Sequence, residues 1–151
     1  MDGFDPHDHS GCAARAVAAA EATCAARALR LTPVRRRVLQ ILAAEHRAFG
    51  AYEVLGKLDG AAPPTVYRAL DFLVEHGFAH RIERLSAFVA CGHPGADHAP
   101  AFLICRACEA VAEAPLEPAR TGLGRAAAAA GFEMERACFE AEGLCPRCAA
   151  A

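Results

Sequence analysis

The sequence predicts an α+β fold in which an N-terminal winged helix-turn-helix precedes a second, smaller α+β unit. Apolar residues recur at helical spacing through most of the first half of the chain, which ends in two short strand patterns. Further strand patterns and one helix fill the rest. Gly92-His-Pro-Gly95 separates the two regions and is typical of a linker, so we expect one domain over residues 1–91 and another over residues 92–151.

Three helices are predicted before residue 60. Residues 12–30 are rich in alanine, which has the highest helix propensity. Thr32-Pro33 then provides a helix N-cap and a proline that fits the first turn, and apolar residues at helical spacing continue to about residue 44. Residues 51–58 form a short third pattern, which ends at Asp59-Gly60.

The fourth predicted helix begins at Pro63 and closes at Gly77. Its apolar face consists of Val66, Ala69, Leu70, Leu73 and Val74. Its N-terminal end carries Thr65, Tyr67 and Arg68, and in a winged helix-turn-helix that end faces the bases, where arginine reads guanine. An ordinary amphipathic helix with a solvated polar face gives the same pattern, so the helix alone leaves DNA binding open.

Strand patterns account for most of the remaining predicted elements. Residues 78–83 and 87–90 are expected to pair as the hairpin of the wing. In the second unit we expect strands over residues 101–105, 109–113 and 132–140, and a helix over residues 116–130. A unit of about 60 residues is small for an independent core, and such units commonly depend on a bound metal or another cross-link.

The charge of the chain is unevenly distributed. The net charge is only −2, which by itself argues against a nucleic-acid binder. Residues 25–86, however, carry ten basic against six acidic residues, whereas the segments on either side each have a net charge of −3. A basic segment between acidic flanks is typical of a confined anion-binding surface, although chance scatter of surface charge can produce the same distribution.

The residue pattern also bears on the compartment. No window approaches 18 consecutive bulky apolar residues, so no transmembrane helix is predicted. The acidic, polar N-terminus lacks the features of a signal peptide, and we expect a cytoplasmic protein. In that compartment eight cysteines indicate thiols, metal ligands or redox groups rather than disulfides.

Two Cys-x-x-Cys pairs are the strongest local signal. Their four thiols belong to Cys105, Cys108, Cys145 and Cys148, and one tetrahedral Zn²⁺ can take all four. A dithiol redox pair or an iron–sulfur cluster is an alternative, but two pairs favour structural zinc. We expect the remaining cysteines to be small buried hydrophobic side chains, namely Cys12, Cys24 and Cys138.

A second candidate metal site draws ligands from both sides of the linker. The candidates are His76, His80, Cys91, His93, His98 and Glu113, and a site made of His80, Cys91, His98 and Glu113 would join the two regions. Imidazole, thiolate and carboxylate together suit zinc, and the thiolate disfavours harder metals such as Mn²⁺. Spacing alone does not select these four residues over His76 or His93.

At this level of detail the chain resembles the ferric-uptake-regulator family, most closely its zinc-uptake-regulator branch, over about residues 25–148. The resemblance rests on Leu31-Thr-Pro-x-Arg35, Pro63-Pro-Thr-Val-Tyr-Arg-Ala-Leu-Asp-Phe-Leu73, Gly77-Phe-Ala-His80, Asp97-His98, Ile104-Cys-Arg-Ala-Cys108 and Cys145-x-x-Cys148. It implies a homodimer in which winged-helix DNA-binding domains are joined by a hinge to α+β dimerisation domains. It also implies metal-dependent repression.

The resemblance further implies roles for particular residues. The four Cys-x-x-Cys thiols match a structural zinc site, and His80, Cys91, His98 and Glu113 match a regulatory one, which makes two Zn²⁺ per subunit. Cys91 distinguishes zinc sensors from the iron and peroxide sensors of the family, whose hinge ligands are nitrogen and oxygen. Tyr52 and Arg68 match residues that approach bases and backbone.

We therefore expect a zinc-responsive repressor of zinc uptake genes that binds a palindromic, AT-rich double-stranded DNA operator. Zinc between the domains is expected to lock the homodimer in its operator-binding conformation. We expect no membrane partner, no small-molecule substrate and no enzymatic activity, since there is no His-Glu-x-x-His motif. The alternatives are a sensor of iron, nickel, manganese or peroxide from the same family, and a zinc-ribbon module that binds protein.

Overall fold

The structure is a computed structural model, and it describes residue 4 and residues 10–94, 100–135 and 137–150. In chain order the elements are α1 (Ser10–Ala26), α2 (Pro33–Ala43), β1 (Phe49–Gly50), α3 (Ala51–Gly56), α4 (Pro63–Glu75), β2 (Ala79–Ile82), β3 (Ala87–Ala90), β4 (Pro100–Cys105), β5 (Val111–Pro115), α5 (Glu117–Ala129), β6 (Phe139–Gly143) and α6 (Pro146–Ala149). None of the helices among these residues is long and apolar enough to cross a membrane.

The predicted helices of the first half are present, and two of them are shorter than expected. Helix α1 ends four residues early because Ala28 adopts a φ of +54° and the N–H of Leu29 donates to the carbonyl of Cys24, at 2.8 Å. Helix α2 begins as predicted, where the hydroxyl of Thr32 accepts from the N–H of Arg35 at 3.4 Å. Helix α3 ends two residues early, at Gly56.

Helix α4 packs its apolar face into the main core. Within that face Val66, Ala69, Leu70 and Leu73 are buried, as predicted. Val74 lies at the edge of this face and is 36 % exposed. Phe72, on the opposite flank of the buried stripe, is only 8 % exposed because its longer side chain reaches the core.

The three cysteines without a partner at metal spacing differ in burial. Cys24 on α1 is buried in the same core as α4, as predicted. The prediction is wrong for Cys138, which is exposed, and for Cys12, which is half-buried.

The first sheet has the order β1–β3–β2 and is antiparallel. Its β2–β3 hairpin is the predicted wing, and the turn between these strands is called the wing turn (residues 83–86). Strand β1 was not predicted. It is only two residues long, and it exists because Phe49 and Gly50 pair with β3.

The second sheet has the order β5–β4–β6, with β5 antiparallel and β6 parallel to β4. Strand β5 lies two residues later than predicted, after a turn in which Glu109 adopts a φ of +60°. Strand β6 occupies Phe139–Gly143 instead of residues 132–140. Its position is set by its pairing with β4, which local periodicity does not encode.

The two sheets are in direct contact. A small apolar cluster joins them and consists of Ile82, Val89, Phe102, Ile104 and Val111. The first two residues belong to the wing strands and the other three to the second sheet. Burial of this cluster therefore contributes to holding the wing against the second sheet.

Candidate metal centres and DNA-binding surface

Four thiols converge at one end of the second sheet. Cys105 ends β4, Cys108 lies in the following turn, Cys145 precedes α6 and Cys148 lies within it. Their sulfur atoms all lie within 4.8 Å of one another. The Sγ atoms of Cys108 and Cys145 are 3.7 Å apart, close to the roughly 3.8 Å that a tetrahedral site with Zn–S bonds of about 2.3 Å requires. The cluster thus fits a zinc ion.

Backbone N–H groups lower the pKa of two thiols in this cluster. The N–H of Cys145 donates to the Sγ of Cys105 at 3.3 Å. This bond, together with one from the N–H of Cys108, lowers the pKa of the Cys105 thiol to about 6. The N–H of Cys148 likewise lowers the pKa of Cys145, whereas hydrogen bonding to Cys145 raises the pKa of Cys148 to about 12. Thiolates are the metal-binding form of cysteine, so these backbone hydrogen bonds favour metal binding by Cys105 and Cys145.

Three predicted ligands meet where the two sheets touch. His80 lies on β2, Cys91 follows β3 and Glu113 lies on β5, and their donor atoms all lie within 4.8 Å of one another. The Nε2 of His80 is 3.9 Å from the Oε2 of Glu113. The fourth predicted ligand, His98, lies outside the described residues.

The surroundings of this cluster favour a bound cation. Burial, together with the negative charge of Glu113, raises the pKa of the Cys91 thiol to about 12. A cation at this point offsets both the desolvation of a thiolate and its repulsion by the carboxylate. Imidazole, thiolate and carboxylate are also the donor set that suits zinc.

The two competing histidines occupy different places. His93 is exposed, and its Nδ1 lies 3.8 Å from the Oε1 of Glu113, at the edge of the cluster. His76 lies outside it, since its ring packs edge-on against Phe72 at a centroid distance of 4.5 Å.

One contributor to this site was missed in the sequence. The backbone N–H of Gly92 donates to the Oε2 of Glu113 at 2.9 Å, which orients that carboxylate toward the cluster. A Cβ at this position would lie 3.3 Å from the same oxygen, which is tight. The sequence indicates only a linker at Gly92, because nothing in it relates this glycine to a residue 21 positions away.

The predicted DNA-binding side chains lie on α3 and at the N-terminal end of α4. Tyr52 on α3 is 72 % exposed, Tyr67 is 43 % exposed and Arg68 is exposed, while Thr65 is half-buried. Tyr52, Tyr67 and Arg68 are therefore accessible to a binding partner.

Two relatives resemble the chain over most of its length. The zinc uptake regulation proteins of Escherichia coli (strain K12) and Shigella flexneri are each 41% identical to it over 137 residues, which span 87% of this chain and 80% of each relative. The chain belongs to the zinc uptake regulator branch of the ferric-uptake-regulator family. No family model matches the sequence.

Solved structures agree with this assignment. A zinc uptake regulator complexed with zinc and DNA has a TM-score of 0.86 at 39% identity, covering 91% of this chain and 95% of its own. Holo XcZur has a TM-score of 0.83 at 45% identity, covering 89% and 97%. These neighbours confirm the predicted fold class, an N-terminal winged helix-turn-helix followed by a small α+β dimerisation domain.

The structure of the chain superposes better on holo XcZur than on apo XcZur. Apo XcZur has a TM-score of only 0.53 at 44% identity, covering 92% of this chain and 99% of its own. The sequence identity is nearly the same in the two comparisons, so it does not account for the difference in TM-score.

Proposed function

We propose that the chain is a zinc-responsive DNA-binding repressor that controls zinc uptake genes. The observation that carries this function is the meeting of His80, Cys91 and Glu113 between the two sheets in a chain that has the arrangement of a zinc- and DNA-bound relative. A thiol in this set favours zinc over iron, manganese and the other signals of the family.

The mechanism follows from where the three ligands lie. His80 and Cys91 belong to the wing region, whereas Glu113 belongs to the second sheet. When bound, zinc supplies the positive charge that keeps these donors together. Bringing the three side chains together fixes the wing against the second sheet, and with it the orientation of α4. In a homodimer this orientation sets the spacing of the two recognition helices on a palindromic operator.

The required free energy is moderate. Moving the chain from mostly open to mostly closed needs about 5.5 kcal/mol of differential zinc affinity. Coupling of this kind is reciprocal, so operator DNA should also strengthen zinc binding.

Several finer features belong to the same proposal. Each subunit holds two Zn²⁺, one at the four cysteines and one at His80, Cys91 and Glu113 with His98 as a fourth ligand. The domains are residues 1–91 and 92–151. Tyr52, Thr65, Tyr67 and Arg68 face an AT-rich operator. The protein acts in the cytoplasm, where thiols stay reduced, and has no enzymatic activity.

A single substitution tests the sensor assignment. The DNA probe is the duplex that the zinc-loaded chain enriches from a random-sequence library, and a shuffled duplex of the same composition is the comparison. Cys91→Ser should abolish zinc-dependent binding to the enriched duplex while the protein stays folded and keeps one zinc per chain. Cys12→Ser is the control, because Cys12 lies on α1 and outside both clusters.

The same experiment separates the competing functions. Undiminished zinc-dependent binding by the Cys91 variant would contradict the sensor assignment. Titrating the wild-type chain with iron, nickel and manganese tests the other members of the family. Failure of the wild-type chain to enrich any duplex would favour a protein-binding zinc module instead.

A further inference from the structure

The segment between α2 and β1 connects the second sheet to the first half of the chain. Arg47 and Ala110 form an antiparallel β-bridge, and the N–H of Val111 on β5 donates to the carbonyl of His46 at 2.9 Å. Ala48 packs against the apolar cluster between the two sheets. Residues 46–48 therefore lie along β5, the strand that also carries Glu113.

The side chain of Arg47 reaches in the other direction, to α3. Its Nη1 lies 3.1 Å from the Oε2 of Glu53, and its Nη2 donates to the Oε1 of the same carboxylate. The guanidinium also lies 4.0 Å above the ring of Phe49. Hydrogen bonding to Arg47 holds the pKa of Glu53 below its ordinary value, so both partners are ionised at neutral pH.

Helix α3 needs such contacts. It has six residues, and its N-cap, Gly50, offers no side-chain hydrogen bond. Helices this short are not stable on their own and take their position from tertiary contacts. Glu53 adjoins Tyr52, the exposed residue proposed above to face the operator.

We propose that Arg47 is a positioning residue that links the docking of β5 to the placement of Tyr52. This inference rests on the proposed function. When Glu113 and its partner ligands come together, β5 lies against residues 46–48 and fixes the backbone of Arg47. The guanidinium then holds Glu53, and α3 presents Tyr52 at a defined place on the DNA. Arg47 thereby acts through α3, without contacting the DNA.

Two substitutions, one removing a positive and the other a negative charge, distinguish a positioning role of Arg47 from a direct contact with DNA. Arg47→Ala and Glu53→Gln are measured in the zinc-loaded, full-length chain on the enriched and the shuffled duplex. Positioning predicts that both weaken binding to the enriched duplex, each about tenfold, and leave the shuffled duplex within about twofold. If Arg47 instead contacts a phosphate, Arg47→Ala should lower the affinity for both duplexes. Glu53→Gln should then raise the affinity, because it removes a negative charge next to Arg47. That second pattern would overturn the proposal.

A matched control comes from the other partner of Arg47. The Nε of Arg47 lies 2.7 Å from the Oε2 of Glu45, which lies outside α3. Glu45→Gln makes the same chemical change as Glu53→Gln but leaves the link to α3, so binding should stay within about twofold of wild type. Equal losses in the two glutamine variants would refute a role specific to α3.

A double-mutant cycle with Tyr52→Phe measures whether Arg47 and Tyr52 are coupled in DNA binding, which a purely structural role of Arg47 does not predict. If Arg47 acts through Tyr52, Arg47→Ala should add less than about twofold to the loss caused by Tyr52→Phe. Additive losses would reject that route. Arg47→Lys keeps the charge but lacks the forked donor, so it should weaken binding to the enriched duplex nearly as much as Arg47→Ala. This variant also tests the proposal if the alanine variant fails to fold.

The wild-type chain separates this inference from the proposed function. If it shows no zinc-dependent binding to the enriched duplex, the proposed function fails and the inference with it. If it binds and all Arg47 and Glu53 variants bind equally well, only the inference fails.

Discussion

Glu140 on β6 accepts a hydrogen bond from the backbone N–H of Glu83 at 2.7 Å, across 57 residues of sequence. The other oxygen of this carboxylate accepts from the N–H of Arg84 at 3.0 Å. The guanidinium of Arg84 lies 2.9 Å from the carboxylate of Glu142, also on β6. Strand β6 therefore holds the wing turn, in addition to the ligands and apolar residues that join the two sheets.

Glu140→Ala should weaken operator binding by the zinc-loaded protein. It removes the acceptor for two backbone N–H groups, and a net cost of about 1 kcal/mol corresponds to about a fivefold loss of affinity. Zinc content should stay unchanged, because no ligand is lost. Glu135→Ala, at an exposed position before β6, serves as the control. A Glu140 variant that binds as tightly as this control would show that the contact of Glu140 with the wing turn does not affect operator binding.

Cys105→Ser should remove one zinc per chain and lower the melting temperature. The Cys105 sulfur accepts the N–H of Cys145, so the change loosens the attachment of α6 to β4 along with the zinc site. Metal analysis and thermal unfolding measure the two effects. Cys138→Ser should keep both zinc ions and the wild-type melting temperature. Wild-type zinc content in the Cys105 variant would place the tightly held zinc elsewhere.

Zinc affinity at the site between the sheets should rise with pH. The pKa of the Cys91 thiol is raised to about 12 in the zinc-free chain, so the thiol is protonated at neutral pH and zinc must displace its proton. One displaced proton corresponds to about a tenfold gain in affinity per pH unit between about pH 7 and pH 8. A competing chelator of known pH dependence measures this slope.

The folding stability of the zinc-free protein should fall with rising pH, whereas its zinc affinity should rise. A raised thiol pKa means that the neutral form of Cys91 stabilises the fold below the ordinary thiol pKa, and that this stability declines as pH rises toward the folded-state value. Cys91→Ser should abolish the proton release at this site. An affinity of the wild-type chain that does not change with pH would contradict a buried, protonated thiol.

Arg68→Ala should cost about 1–3 kcal/mol of specific binding if Arg68 reads a base. The measurement compares the enriched and the shuffled duplex at fixed salt, because electrostatic contacts depend steeply on ionic strength. Arg125→Ala, an equal change of charge at an exposed position on α5, is the control. Equal losses on both duplexes would make Arg68 a phosphate contact.

Local chemistry made much of the fold predictable. The Thr32 cap, the prolines of α4 and the left-handed glycine Gly77 mark helix ends through interactions within a few residues. The two Cys-x-x-Cys pairs indicated their cluster for the same reason, since each pair fits one side of a tetrahedral site.

Features that depend on distant partners were not predictable. Strand β6 takes its position from its parallel pairing with β4, and β1 exists only because β3 lies beside it. The bond from Gly92 to Glu113 joins residues whose types carry no sign of the pairing. His80, Cys91 and Glu113 were selected by family resemblance, because no spacing rule links three separate strands or strand ends.

The parallel pairing of β6 with β4 has a consequence for the timing of zinc exchange. The same strand that holds the wing turn through Glu140 continues directly into Cys145 and the thiol cluster. Loss of the proposed zinc ion from this cluster would free the chain after β6 from Cys105 and Cys108, and would weaken part of the geometry on which the other site depends. Under the proposed function, a reversible sensor therefore needs very different zinc residence times at its two sites. The residence time should be long at the four cysteines, so that the end of β6 stays attached, and short at Cys91, so that occupancy follows the zinc supply.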